Sequence, residues 1–388
     1  MSCVFFSKNN DNSKSIVFSP PNPPNYSIEN KNNKNNSNNY GSLITELNFN
    51  HPIFKNINYP NIAISCYSIK KILNSKNNII ILHIKNNTPE KKRRKQKITI
   101  SESSESLNSN NSSSNSSEKN KNKITILLSQ GTKTDLGKIY PTLIDMSNVL
   151  NCNIISYDYS GFGFSSGNLS LEKINEDLEE VLNFILNHLE IKLENIILYG
   201  KTIGSLPSIF ISSRDKYCSI KGLILQSPYY FDKYNGKDKD KIFINNNMAL
   251  IKNVDCPVLL IHGKLDDIIP YEHIDFFSKN IKECVKWFPE KGNHKNIICD
   301  LRSKYYKIVK NFIERIVDSR LKISNSDILF KEENCLEETI IKFSYNKNVI
   351  SNSHFNSLSD FENKKSLELN QILNSSIDKD YDNENNNK

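Results

Sequence analysis

The sequence predicts an α/β fold in which a mostly parallel, doubly wound sheet carries helices on both faces. Short runs of Ile, Leu and Val recur through the middle of the chain, and their apolar character is continuous rather than alternating. Continuous runs are typical of strands buried on both faces of a parallel sheet. Segments with helical periodicity lie between these runs. Strand–helix alternation of this kind implies right-handed crossovers between parallel strands.

Two strands are predicted before the parallel part of the sheet, at Ile62–Ile69 and Ile79–Ile84, and we expect them to pair antiparallel at the sheet edge. The parallel strands are predicted at Ile124–Ser129, Asn153–Tyr157, Asn195–Tyr199, Gly222–Gln226, Pro257–Ile261 and Cys284–Phe288. The clearest helix begins at Leu171, where apolar residues form one stripe that reaches Leu189. Ser170 is placed to cap this helix.

Composition separates an ordered domain from low-complexity extensions. Hydrophobic residues make up 37% of the 388-residue chain, which predicts that part of it is not packed. We assign residues 1–50 to a Pro/Asn-rich N-terminal extension, 51–320 to the α/β domain and 321–388 to a mostly disordered tail. An insert at about 85–122 interrupts the domain. Its Lys, Ser and Asn residues cannot bury enough apolar surface to offset chain entropy, so we expect disorder there.

Charge and cysteine usage predict a cytoplasmic protein without a nucleic-acid partner. The net charge of +8 comes mainly from dispersed lysines, which are typical of a solvated surface. The basic run Lys91–Lys95 is interpreted as part of a solubilising linker, with a nuclear signal as the alternative. The eight cysteines are scattered, which favours reduced thiols. Cys3 is a candidate for S-acylation and peripheral membrane contact, or else an inert thiol.

A strand–turn–helix motif is predicted around Gly200-Lys201-Thr202-Ile203-Gly204. Glycines on both sides of a tight turn remove Cβ clashes and expose the central hydroxyl above the carboxyl end of the strand. A second pattern, Gly163–Gly167, places Ser165 at its centre. Further residues separate it from the preceding strand, and its helix begins late. We therefore prefer Thr202 to Ser165 as the nucleophile.

An acid and a histidine follow the nucleophile in the order that catalytic triads of this class use. Asp266 lies on the loop after Pro257–Ile261, and His294 lies on the loop after Cys284–Phe288. Asp267 remains the alternative acid. The combination, with each residue just past a strand, predicts the α/β-hydrolase fold.

The predicted oxyanion hole consists of two backbone amides. One belongs to Ile203, directly after the nucleophile, and the other to Thr132, in the loop that begins Gln130-Gly131. The alternative for this loop is a plain strand-to-helix turn. We expect neither a cofactor nor a metal.

Several stretches around these positions resemble one family. They are Leu128–Gly131, Asn151–Ile154, Asp158–Gly161, Glu194–Gly200, Ser227-Pro228, Pro257–Gly263 and Gly292–His294. They are similar to the α/β-hydrolase domain-containing protein 17 family, over roughly residues 15–70 and 123–318. The resemblance implies an acyl-protein thioesterase that removes palmitate from membrane-bound proteins. This chain departs from the family at Thr202, where the family has Ser, and at Gln130, where the family has His. Cys3 replaces an N-terminal cysteine cluster.

The threonine leaves two functional hypotheses. Its hydroxyl can be deprotonated by His294, which favours a slow hydrolase of acyl thioesters or lipid-like esters. Its extra methyl group stiffens χ1 at a crowded position. This second property favours a pseudoenzyme that binds acyl chains or a protein partner. Tyr229, Tyr230 and Phe231 are candidates for lining an acyl pocket, with ordinary packing as the alternative.

Overall fold

A computed structural model of the protein describes residues 18–30, 44–51, 59–71, 77–89, 123–168, 170–229, 246 and 248–318. Several sequence predictions concern residues outside these ranges. They are Cys3, the basic run Lys91–Lys95, Tyr230 and Phe231, most of the predicted insert, and the tail 321–388.

The described residues form one ten-stranded sheet. Its strands are β1 Ser27–Asn30, β2 Ile44–Asn50, β3 Ile62–Lys70, β4 Asn78–Asn86, β5 Thr125–Ser129, β6 Asn153–Tyr157, β7 Ile196–Lys201, β8 Gly222–Gln226, β9 Val258–Ile261 and β10 Cys284–Trp287. Their order across the sheet is β1-β2-β3-β4-β6-β5-β7-β8-β9-β10. Strands β5 to β10 run parallel to one another. The first four strands pair antiparallel, and β4 joins β6 antiparallel.

This architecture confirms the predicted α/β-hydrolase fold. The parallel strands differ from the predicted ones only at their ends, and β3 and β4 pair antiparallel as expected. The prediction that they form the edge of the sheet was wrong, because β2 and β1 continue the sheet beyond β3. Both added strands lie within residues 1–50, which the composition assigned to an extension. Only Leu47 is buried in β2, so this strand lacks the apolar pattern that marks the others.

Helices cover both faces of the sheet. They are α1 Leu136–Leu150, α2 Leu171–Asn187, α3 Ser205–Ser212, α4 His273–Asn280 and α5 Arg302–Val317. Apolar side chains of α2, α3 and α4 share one core cluster, and those of α1 and α5 share the other. Ser170 Oγ accepts a hydrogen bond from the Lys173 amide at 3.2 Å, which confirms the predicted cap. No helix in the described ranges combines the length and apolar character that crossing a bilayer requires.

Candidate active site

Thr202 lies in the tight turn between β7 and α3, with a backbone φ of +53°. A β-branched residue rarely adopts this left-handed conformation, so the turn is strained. The flanking glycines permit it. A Cβ on Gly204 would lie 2.1 Å from the Ser129 carbonyl oxygen, and a Cβ on Gly200 would lie 2.6 Å from the Gly204 carbonyl oxygen. The strand–turn–helix geometry predicted from the glycine spacing is therefore present, and it holds the Thr202 backbone in place.

The structure brings together the three side chains selected from the sequence. Thr202 Oγ1 lies 3.1 Å from His294 Nε2. His294 Nδ1 lies 2.9 Å from one oxygen of Asp266 and 3.1 Å from the other. In the tautomer that carries its hydrogen on Nδ1, this hydrogen faces the carboxylate and Nε2 can accept the hydroxyl proton. The added methyl group thus leaves the Thr202 oxygen directed at the imidazole.

The loops that carry Asp266 and His294 are joined by backbone hydrogen bonds. The Lys264 amide donates to the Pro289 carbonyl at 3.1 Å, and the Leu265 amide donates to the Gly292 carbonyl at 2.8 Å. The backbones touch at a pair of glycines, since a Cβ on Gly263 would lie 2.3 Å from the Gly292 carbonyl oxygen. The separation of acid and histidine is consequently set by main-chain contacts.

The Asp266 carboxylate is buried and surrounded by donors. Its Oδ1 accepts from the amides of Ile268 and Ile269, at 3.0 and 2.8 Å. Its Oδ2 accepts from Ser227 Oγ at 2.9 Å. Burial opposes ionisation, but the hydrogen bond and charge of His294 and the Ile269 amide outweigh it, so the pKa of Asp266 is lowered. The alternative acid, Asp267, is exposed.

Ser165, the alternative nucleophile, is buried and engaged with the backbone. Its Oγ donates to the Asp158 carbonyl at 2.8 Å and accepts from the Ile80 amide at 2.9 Å. These bonds tie the glycine-rich loop to β4, through Ile80, and to the residue that directly follows β6, Asp158. This hydroxyl therefore holds a loop in place and lies in a different hydrogen-bond network from His294.

The loop predicted to carry the second oxyanion donor borders the nucleophile. A Cβ on Gly131 would lie 3.9 Å from Thr202 Oγ1. Its neighbour Gln130 is buried, and its Nε2 donates to Asp158 Oδ1 at 2.9 Å. Ile203, the other predicted donor, is buried directly after Thr202. The assignment of the Thr132 and Ile203 amides to an oxyanion hole stays a prediction.

An N-terminal strap, residues 18–26, contacts this loop and also Asp158, the residue directly after β6. The Ser19 amide donates to the Thr132 carbonyl at 3.0 Å, and Tyr26 Oη donates to Asp158 Oδ2 at 2.7 Å. Sequence reasoning missed the strap, Asp158 and Ser227 as neighbours of the site. The available signals were the Pro/Asn-rich composition of the N-terminal extension and the stretches Asp158–Gly161 and Ser227-Pro228, which entered through the family resemblance.

Asp158 predicts an unusual pH dependence of stability. Burial, opposed by hydrogen bonds from Tyr26, Gln130 and the Leu136 amide, raises the pKa of its carboxyl to about 7. The folded state then keeps a proton that the unfolded chain releases near pH 4. This carboxyl's contribution to the unfolding free energy therefore falls as pH rises from 4 towards 7. The total loss is about 1.4 kcal/mol for each unit by which the folded-state pKa exceeds the unfolded-state pKa.

Denaturant unfolding at several pH values checks this prediction. The stability of the wild type relative to Asp158→Asn should decrease between pH 4 and pH 7, since the amide cannot ionise. Asp215→Asn, at an exposed carboxyl, is the control. A constant difference across this interval would contradict the raised pKa.

Sequence comparison identifies relatives of the chain. Over 205 residues it is 32% identical to alpha/beta hydrolase domain-containing protein 17C of Xenopus tropicalis, a match covering 49% of this chain and 61% of that protein. Human protein 17B is 30% identical over 207 residues, covering 49% and 66%. This chain is a homologue of the alpha/beta hydrolase domain-containing 17 proteins. The matched region spans less than two thirds of these relatives.

Solved structures with a similar fold include hydrolases. An esterase of Pyrococcus furiosus aligns with a TM-score of 0.47 and 16% identity, over 66% of this chain and 93% of its own. An alpha-beta serine hydrolase homologue from Coxiella burnetii aligns with a TM-score of 0.42 and 16% identity, over 64% and 95%. No protein-family model matches the chain.

Proposed function

We propose that this protein hydrolyses acyl thioesters or esters, with Thr202 as nucleophile, His294 as base and Asp266 as the acid that orients it. The proposal is carried by the 3.1 Å separation of Thr202 Oγ1 and His294 Nε2. The other ring nitrogen, Nδ1, lies 2.9 Å from Asp266 Oδ2. Nucleophile, base and orienting group in hydrogen-bond contact are the arrangement that covalent catalysis requires.

The reaction divides into two acyl transfers. Thr202 Oγ1 attacks the acyl carbonyl carbon while its proton passes to His294 Nε2. The amides of Ile203 and Thr132 are proposed to bind the negative oxygen that forms. The C–S or C–O bond then breaks, and the leaving group takes the proton from Nε2. Water, deprotonated by His294, attacks the acyl-threonine ester, and the proton returns to the Thr202 oxygen as the fatty acid leaves.

We infer that thioesters are the better substrates. A secondary hydroxyl at a strained backbone position is a weak nucleophile, and a thioester compensates through its electrophilic carbonyl and good leaving group. The family resemblance favours an S-acylated protein as substrate, in the cytoplasm and with peripheral membrane contact. Cys3 is the proposed attachment site, and it lies outside the described residues.

A thioester assay on the full chain tests this function. We expect slow hydrolysis of an S-octanoyl peptide, slower hydrolysis of the matching O-octanoyl serine peptide, and no activity above background in Thr202→Ala. After treatment with a fluorophosphonate, intact-mass analysis should show one adduct, and peptide mapping should locate it on Thr202. An adduct on Ser165, or equal turnover by Thr202→Ala, would refute the assignment.

The alternative, a pseudoenzyme that serves as a binding or scaffold protein, is favoured by one observation. Thr202 combines a branched Cβ with a positive φ, which restricts the approach of its oxygen to a substrate carbonyl. Under this hypothesis, wild-type protein binds an acyl peptide without cleaving it. Turnover by the wild type that depends on Thr202 would exclude it.

A further inference from the structure

Ser227 is a second strained residue close to the proposed active site. It follows directly after β8, its side chain is fully buried, and its φ is +46°. A non-glycine residue in this conformation persists only where its surroundings hold it. The Ser227 amide donates to the Ile261 carbonyl at 2.9 Å, which fixes the turn against the end of β9.

The strained turn directs the serine hydroxyl at Asp266. Ser227 Oγ donates to Asp266 Oδ2 at 2.9 Å. The amides that hold this carboxylate, from Ile268 and Ile269, both bind the other oxygen, Oδ1. His262 Nε2 lies 3.5 Å from Oδ2 but has a closer acceptor in the Ile269 carbonyl, at 3.0 Å. Among the described residues, the two donors within 2.9 Å of Oδ2 are therefore His294 and Ser227.

We propose that Ser227 is a positioning residue that sets the plane of the Asp266 carboxylate. With both oxygens anchored, the carboxylate faces His294 Nδ1 in a single orientation, and this directs Nε2 at Thr202. Without the hydroxyl, the carboxylate can rotate about its Cβ–Cγ bond and the imidazole loses alignment. The proposal deepens the proposed function and rests on it for its kinetic part.

Two substitutions separate the hydroxyl from the backbone strain. Ser227→Ala removes the hydroxyl and keeps a Cβ at positive φ, whereas Ser227→Gly removes both. We expect kcat of the thioester reaction to fall about 10- to 100-fold in both variants with KM unchanged, as for loss of a hydrogen bond to a charged group. The glycine variant should unfold at a higher denaturant concentration than the alanine variant, because glycine accepts positive φ.

A spectroscopic readout makes the test independent of turnover. The proton between His294 Nδ1 and Asp266 should give a far-downfield ¹H NMR resonance in the full chain, identified by its loss in His294→Ala. We expect this resonance to shift or broaden in both Ser227 variants. It should stay unchanged in Ser156→Ala, where the lost hydroxyl is buried on β6 and donates to the Leu128 carbonyl.

The outcomes distinguish this inference from the proposed function. An unshifted resonance together with wild-type kcat in Ser227→Gly would overturn the role of Ser227. A shifted resonance in a chain whose wild type does not hydrolyse thioesters would support the role of Ser227 while refuting the proposed reaction. If Ser227→Ala fails to fold, the comparison with the wild type is made with Ser227→Gly, which also lacks the hydroxyl and has no strained Cβ.

Discussion

His294→Ala is expected to lower the rate of acyl transfer to Thr202 by about 10³-fold or more, since loss of a triad histidine costs up to about 10⁶. The imidazole is the group within hydrogen-bond distance of Thr202 Oγ1 that can take its proton. The variant should keep its fold, because the loop is also held by main-chain bonds from Lys264 and Leu265. The measurement is the rate of fluorophosphonate labelling followed by intact mass.

The control is His188→Ala. His188 is an exposed histidine that stacks on Phe184 at the end of α2, on a different part of the molecule. This variant should label at the wild-type rate. Labelling of Thr202 that persists unchanged in His294→Ala would show that the hydrogen bond has no role in the chemistry.

Thr202→Ser is expected to raise both activity and stability. The substitution removes a methyl group from a residue at φ +53° and frees χ1, while the attacking oxygen is retained. A non-glycine residue at positive φ costs about 1–3 kcal/mol, and serine, which keeps Cβ, relieves only the part that the γ-methyl group adds. If the relieved part also limits the attacking geometry, thioester turnover rises by about 10-fold for each 1.4 kcal/mol. The measurements are kcat/KM for the S-octanoyl peptide and the midpoint of denaturant unfolding.

Thr202→Ala provides the comparison, because it removes the oxygen as well as the methyl group. It should be inactive, with a stability close to that of the serine variant. Equal activities of Thr202→Ser and the wild type would show that the methyl group does not limit attack. Activity confined to Thr202→Ser would identify the natural chain as a silenced hydrolase.

Several parts of the site could be predicted because they are local in sequence. The Gly200 and Gly204 spacing predicted the turn at Thr202, and the position of Asp266 after a strand predicted its loop. Ser227 could not be found in this way, since its role depends on a contact with a residue 39 positions away. The strap was missed for the same reason, because Tyr26 meets Asp158 across 132 positions.

The sequence by itself determined the strand–helix alternation, the turn at Thr202 and the order of the candidate catalytic residues. Apolar periodicity and glycine spacing are local properties, and they are legible without knowledge of packing. Only the tertiary structure decided where the Thr202 oxygen points, which acid faces His294, and that β1 and β2 extend the sheet. These outcomes depend on distant backbone segments meeting at the carboxyl ends of strands, where contact geometry is set by the packed sheet.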